Sequence, residues 1–282
     1  MERSTSDATF PPEGEGSRVS FAHPPVVEVV AGLAFVDYPP EHAVALSAFW
    51  REELRQEFPR LQFQPPYTPQ EEQFEGAAGP SISFQLSSAF PSPRLWASTE
   101  DGQELVQLQT DWLALNWRKV KPDGAYDRWA ARRTSLSRIY ALLQEFLARE
   151  SLANPVIRQC EVTYINHISL DGVPDGHAAY SSFFKGQEAL TTAGDVEQLT
   201  LQASYRLGDP ASPTGRLHLK VAPALNASGK PIYVLELTAR SAPLHMSISS
   251  ALSFLDSGRD AINEAFVKLT TDAAHRRWGY EG

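Results

Sequence analysis

Cysteine is almost missing from this chain of 282 residues: Cys160 stands alone, so no intrachain disulfide can form and a disulfide-stapled secreted fold is excluded. Long apolar runs are missing as well. No window approaches the roughly 18 uninterrupted apolar residues of a membrane-spanning helix, so no membrane partner is expected. Positive charge is in short supply: 25 Lys and Arg face 34 Asp and Glu, for a formal charge of -9. That sign opposes binding to a phosphate backbone and makes nucleic acid an unlikely partner. The opening, MERSTSDATFPPEGEGSRVS, has neither the basic start nor the apolar stretch of a secretory signal, which points to the cytoplasm.

Recognised catalytic signatures are lacking too. There is no GxxxxGK[ST] phosphate loop, no GxGxxG after a strand, no GxSxG elbow and no HExxH pair. The histidines at 23, 42, 167, 177, 218, 245 and 275 form no close ligand cluster with Cys or Asp. No cofactor and no metal are expected.

What the chain does contain is core-forming material. Hydrophobic residues make up 42%, with 14 Phe, 9 Tyr and 6 Trp, which favours strands and large packed contacts. Residues 1–20, rich in Ser, Thr, Pro, Glu and Gly, read as a flexible tail. After His23-Pro24-Pro25, residues 26–37 (VVEVVAGLAFVD) predict a strand, with Gly32 marking a bulge, a bend or a close backbone approach. A helix follows over 41–57, then a Pro-, Glu- and Gly-rich stretch at 65–80 that reads as a long mobile connection. Alternation predicts strands at 81–88, 94–99 and 104–119; the last carries apolar side chains on both parities, as a central strand would. Trp129, Leu136, Ile139, Tyr140, Leu143, Phe146 and Leu147 form a helical stripe that runs to about residue 150, with Asp127 as N-cap.

The pattern then returns. A strand is predicted at 156–169, an irregular region with Gly172, Pro174, Gly176 and Gly186 follows, and three strands come at 196–208, 216–225 and 231–241. A final helix spans about 249–274, with Gly258 as a possible interruption. The order suggests an α+β fold in a pseudo-duplicated arrangement: two related curved antiparallel sheets, each covered by a long helix. The halves would be residues 21–153 and 154–282, packed as one unit.

Candidate functional residues come from the polar parity of the strands. Arg206, His218, Lys220, Glu236 and Arg240 alternate with apolar neighbours and could together display a surface of both charge signs. An ordinary solvated sheet face explains the same alternation, because an antiparallel sheet can bury one side only. Glu28 lies among hydrophobics and would need a strong donor if buried. Asn116 and Arg118 flank Trp117; Arg118 could bind an anion or make a structural bridge. Asn166-His167 at a strand end could form a catalytic pair, although a lone His at such a place is more often structural or solvent-exposed. Glu161, beside Cys160, completes the set of acidic candidates.

PPVVEVVAGLAF, LQTDWLALNWRKV with the aromatic helix after it, EVTYINHI and the terminal AINEAFVKLTTDAAHRRWG together resemble a sporadically distributed bacterial protein family. The similarity covers about residues 21–280; Ala125-Tyr126-Asp127 departs from the Tyr-Pro approach to the long helix usual there. The resemblance implies a conditional or defence-linked role and supplies no cofactor or reaction. It directs attention to Glu28, Asn116, Trp117, Arg118, Asn166 and Trp278. The leading expectation is a recognition or assembly protein that binds a protein partner, a second copy of itself or a small polar ligand. The alternative is an enzyme or sensor for a small polar metabolite, its site converging from Glu28 or Glu161 with Arg118, His167, His218, Lys220, Glu236 and Arg240.

Overall fold

Alternating apolar and polar side chains set the strands. The computed structural model describes residues 20–36, 38, 41–74, 93–121, 129–173, 177–186 and 199–280. Among them nine strands form: β1 (Val26–Val36), β2 (Arg60–Gln64), β3 (Arg94–Ser98), β4 (Glu104–Gln109), β5 (Trp112–Arg118), β6 (Val156–Ser169), β7 (Leu201–Asp209), β8 (Ser212–Leu225) and β9 (Pro231–Ser241). All pair antiparallel in one sheet of order β2-β3-β4-β5-β1-β6-β9-β8-β7.

This single sheet corrects the expected pair of sheets. β1 and β6 join along their length, from Val26 opposite Asn166 to Val36 opposite Val156. Had each closed its own sheet, both would have presented a row of unpaired N–H and C=O groups at an apolar edge; pairing them removes two such edges at once. Element order shows that strands exist, whereas it does not say which of them are neighbours.

Among the described residues five helices accompany the sheet: α1 (His42–Phe49), continued by a wider π turn over Trp50–Leu54, α2 (Trp129–Arg149), α3 (His177–Phe183), α4 (Ile248–Leu269) and α5 (Asp272–Arg277). The long helix α2 lies against β5 and β1, and α4 against β6, β9 and β8, so both cover the same face. There Leu33, Leu115 and Trp117, together with Val162, Leu235 and Leu237, meet Leu136 and Ile139 of α2 and Leu255 and Ile262 of α4. Burying each such aliphatic side chain contributes about 1.5–3 kcal/mol. No helix among the described residues is long and apolar enough to cross a membrane.

Three local expectations change. The stretch 104–119 is a hairpin: Gln109 pairs with Trp112 across the two-residue turn Thr110-Asp111. Both of its arms carry apolar residues on both faces, which disguised the turn as strand. Gly258 does not interrupt α4; a Cβ there would stand 2.9 Å from Ala239 Cβ, so the glycine lets the helix sit close on the sheet. Gly32 marks a close approach, but of a side chain, since the Trp112 indole occupies the space its Cβ would fill. β2 was missed: it falls between the helix expected at 41–57 and the connection expected at 65–80, where no element was expected. Residues 1–19 of the expected tail, residues 75–80 of the expected connection, the strand expected at 81–88 and the cap Asp127 lie outside the described residues.

Trp278 is explained by packing. Its ring meets Phe266 at 5.3 Å, Phe21 at 6.2 Å and Phe183 at 6.3 Å, and backbone bonds from Ala22 and His23 to Gly279 and Trp278 tie the start of β1's approach to α5.

Candidate binding face

The face opposite the helices gathers the polar parity of every central strand, and two networks cross it. In the first, Arg94 Nη1 donates to Gln107 Oε1 at 2.8 Å, Gln107 Nε2 to Asn116 Oδ1 at 2.8 Å, and Asn116 Nδ2 to Glu28 Oε1 at 2.6 Å. These residues sit on β3, β4, β5 and β1, four strands in spatial succession. Glu28 thus finds the donor its surroundings demand, in Asn116.

The second network is ionic, and its Glu72, Glu161 and Arg240 are buried. Arg240 Nε donates to Glu161 Oε2 at 2.6 Å, and its Nη1 to Glu72 Oε1 at 3.0 Å. The Glu72 carboxylate also accepts from Arg216 and meets His218 Nε2 at 2.5 Å, while His218 Nδ1 faces Ser204 Oγ at 3.0 Å. Glu72 is 4% exposed. Burial pushes its carboxyl up, but the hydrogen bond and charge of His218, with the Arg240 guanidinium, outweigh burial and hold it below the usual range. Burial works against the Arg240 charge in the same way, and Glu161 followed by Glu72 raises its pKa in spite of it.

Glu72 belongs to the stretch expected to be a mobile connection. Residues 65–74 instead lie across the polar face as an extended strap without regular secondary structure. Two glutamine side chains of the sheet hold its backbone. Gln109 accepts from Tyr67 N–H at 2.8 Å through Oε1 and donates to Tyr67 C=O at 2.7 Å through Nε2. Gln159 accepts from Glu72 N–H at 3.1 Å and donates to Gln70 C=O at 2.7 Å. At one end the Tyr67 ring packs 5.1 Å from Trp112, with Arg94 over it at 5.6 Å; at the other, Arg216 lies 4.6 Å above Phe74. Burial, then the charge of Glu161, pushes the Tyr67 hydroxyl well up. Beside the strap a cavity of about 530 Å³ is lined by Tyr38, Gln70, Glu71, Asp111 and Arg158 among others.

No family model matches this chain, and no curated protein matches it either.

The structure sorts the sequence candidates into groups. Glu161, His218 and Arg240 come together around Glu72, and Glu28 joins Asn116. Lys220 and Glu236 are register partners on the open part of the face, where both are exposed. Arg206, also exposed, reaches the Pro210 carbonyl at 3.4 Å. Arg118 holds the turn before β4 through the Gly102 carbonyl, at 2.8 and 3.2 Å, which makes it a structural bridge. Asn166 and His167 point to opposite faces. Asn166 is buried on the helix side and donates to the Leu235 carbonyl at 3.1 Å, whereas His167 is exposed, so they form no catalytic pair. Burial lowers the His167 pKa, and the charge of Glu28 only partly opposes it. The single convergent site expected of an enzyme does not assemble from these residues.

The arginines of α2 are likewise committed. Arg132 makes a bidentate pair with Glu104, Arg133 binds Asp256 and Arg138 binds Glu57. They pin the helix to the rest of the fold and leave no cationic stripe on these three residues for a phosphate backbone.

Glu72, Tyr67, Gln109, Gln159 and Arg216 escaped the sequence reading. One signal was available: the polar run Gln70-Glu71-Glu72-Gln73 is framed by Tyr67 and Phe74, two aromatics that a wholly solvated loop has no use for.

Proposed function

We propose that this is a cytoplasmic recognition or assembly protein that binds an extended segment of a protein partner on the polar face of its sheet. The observation that carries the reading is the strap itself: this face already holds an extended peptide by its backbone and by one buried carboxylate. Two glutamine amides that each donate and accept, as Gln109 and Gln159 do, recognise peptide groups whatever the side chains, while a charged pocket adds selectivity. Beyond the strap, exposed His167, Lys220, Glu236 and Arg206 offer further contacts of both signs. Such a binding role also suits the conditional or defence-linked part that the family resemblance implies.

The test is purification of the chain with its native partners and cross-link mapping. Cross-links that fall on β8, β9 and residues 65–74 support the reading. Cross-links confined to the helical side would remove its basis.

The cavity favours a second reading, a sensor of a small polar ligand. Its volume of about 530 Å³ suits a small molecule, for which sites of about 300–1,000 Å³ are usual. Asp111 lines the cavity, where burial raises its carboxyl above the ordinary value. A metabolite screen by thermal shift on wild type and Asp111→Asn checks it; the same hits and shifts in both would dismiss the cavity as the site.

A further inference from the structure

We propose that residues 65–74 are a displaceable internal ligand, and that the site they occupy binds an extended, carboxylate-bearing peptide segment of the partner. The proposal rests on the recognition reading above and adds to it the partner's chemistry and the means of regulation.

The way the strap is held makes it displaceable. It adds no strand to the sheet: no backbone ladder connects residues 65–74 to any of β1–β9. Its backbone is read by the Gln109 and Gln159 side chains, in a pattern that any extended chain can satisfy. The strap has no residue in the main apolar core; Tyr67 packs instead against the small cluster of Ala34, Trp112 and Ala114. A cavity of about 530 Å³ adjoins Thr68, Pro69, Gln70 and Glu71 along the middle of the strap. Segments held by polar bonds with little buried apolar area open at lower free energy than core strands.

Charge selects what can replace the strap. While the strap is seated, the carboxylates of Glu72 and Glu161 balance the guanidinium groups of Arg216 and Arg240. Once Glu72 leaves, two guanidinium groups and the His218 imidazole face a single remaining carboxylate. The vacated site is then cationic, lined by rigid strand residues, and open to solvent at one side, where Arg216 and His218 are partly exposed. A Glu or Asp side chain flanked by extended backbone satisfies every group that Glu72 satisfied. A small free acid satisfies the charge but not the two glutamine amides.

The experiment uses the full-length chain with residues 67–73 replaced by Gly and Ser at unchanged length, and a fluorescein-labelled decapeptide of residues 65–74 as probe. The expected result is that the replaced chain binds the decapeptide by anisotropy and that wild type binds it at least about tenfold more weakly, since its own strap competes at high effective concentration. Glu72→Gln in the probe should weaken binding by about tenfold or more, and glutarate should fail to compete at comparable concentration. Amide exchange on wild type supplies an independent measurement: the Tyr67 and Glu72 amides should exchange at least about a hundredfold faster than those of Val162 and Leu237. A replaced chain that unfolds cooperatively yet ignores the decapeptide overturns the proposal, as do competition by glutarate at parity and strap amides that exchange only with those of β6 and β9. A replaced chain that cannot fold has the same meaning when wild-type exchange shows no separate opening. A native partner that cross-links to the sheet face with equal affinity for wild type and replaced chain overturns the internal-ligand proposal alone. Decapeptide binding with partner cross-links only on the helices overturns the recognition reading alone.

Discussion

Replacing Gly32 by alanine places a methyl group where the Trp112 indole now lies. The new Cβ would stand 2.2 Å from Trp112 Cη2 and 2.3 Å from Cζ2, against about 3.5–4.0 Å for carbon atoms in ordinary contact. The indole must therefore shift by about 1.5 Å. It has little room, being buried, with the Tyr67 ring of the strap packed 5.1 Å away. Overpacking of this kind costs about 1–3 kcal/mol, and relief of glycine's conformational entropy in a strand returns about 0.5–1 kcal/mol. Gly32→Ala should destabilise the protein by about 1–2 kcal/mol in urea unfolding, with the Tyr67 amide losing protection first. Trp112→Val removes the obstacle: in the double variant the alanine should cost about 1–2 kcal/mol less than it does alone. A neutral or stabilising Gly32→Ala, or strict additivity with Trp112→Val, would refute the close-approach account of this glycine.

Other consequences follow from buried charge. Glu104→Gln leaves the Arg132 guanidinium, 2% exposed, without its anionic partner and should cost about 2–4 kcal/mol; an equilibrium unfolding curve within about 0.5 kcal/mol of wild type would mean that the pair is not what anchors α2. The Glu72 carboxyl, ordinarily titrating at 4.5, is held lower in the fold. Its contribution to strap closure is therefore complete above that ordinary value and is lost as pH falls through the lowered one. Exchange of the Tyr67 and Glu72 amides, corrected for intrinsic rates, should accelerate on acidification in that window, and Glu72→Gln should abolish the pH dependence. Burial pushes the Cys160 thiol up to about 12, so iodoacetamide at pH 8 should leave it unmodified in the folded protein and label it in urea. Labelling of the native chain at the rate of a free thiol would contradict its burial.

Much of the strand and helix content was legible in the sequence. Period-two alternation brought out β6 and β9, and the spacing of Trp129, Leu136, Ile139 and Leu143 brought out α2, because burial of one face imposes a local repeat on the chain. The hairpin at Thr110-Asp111 was hidden, since both of its arms are buried on both sides and the parity clue disappears. Arg240, Glu161 and His218 were visible as polar members of their strands, but Glu72 was not. Its importance depends on where residues 65–74 run, and a Pro-rich segment without periodicity carries no record of what it crosses.

Alternation, turn residues and the stripe of apolar positions determined by themselves that this chain makes antiparallel strands and two long amphipathic helices, because those signals report on burial within a few residues. Only the tertiary structure decided that the strands form one sheet, through the pairing of β1 with β6, and that the polar face carries a segment of its own chain. Both outcomes depend on contacts between residues far apart in sequence, such as Glu72 with Arg216 and Arg240. Partner choice of that kind follows from hydrogen-bond satisfaction and charge balance over the whole fold, quantities that no local window of sequence contains.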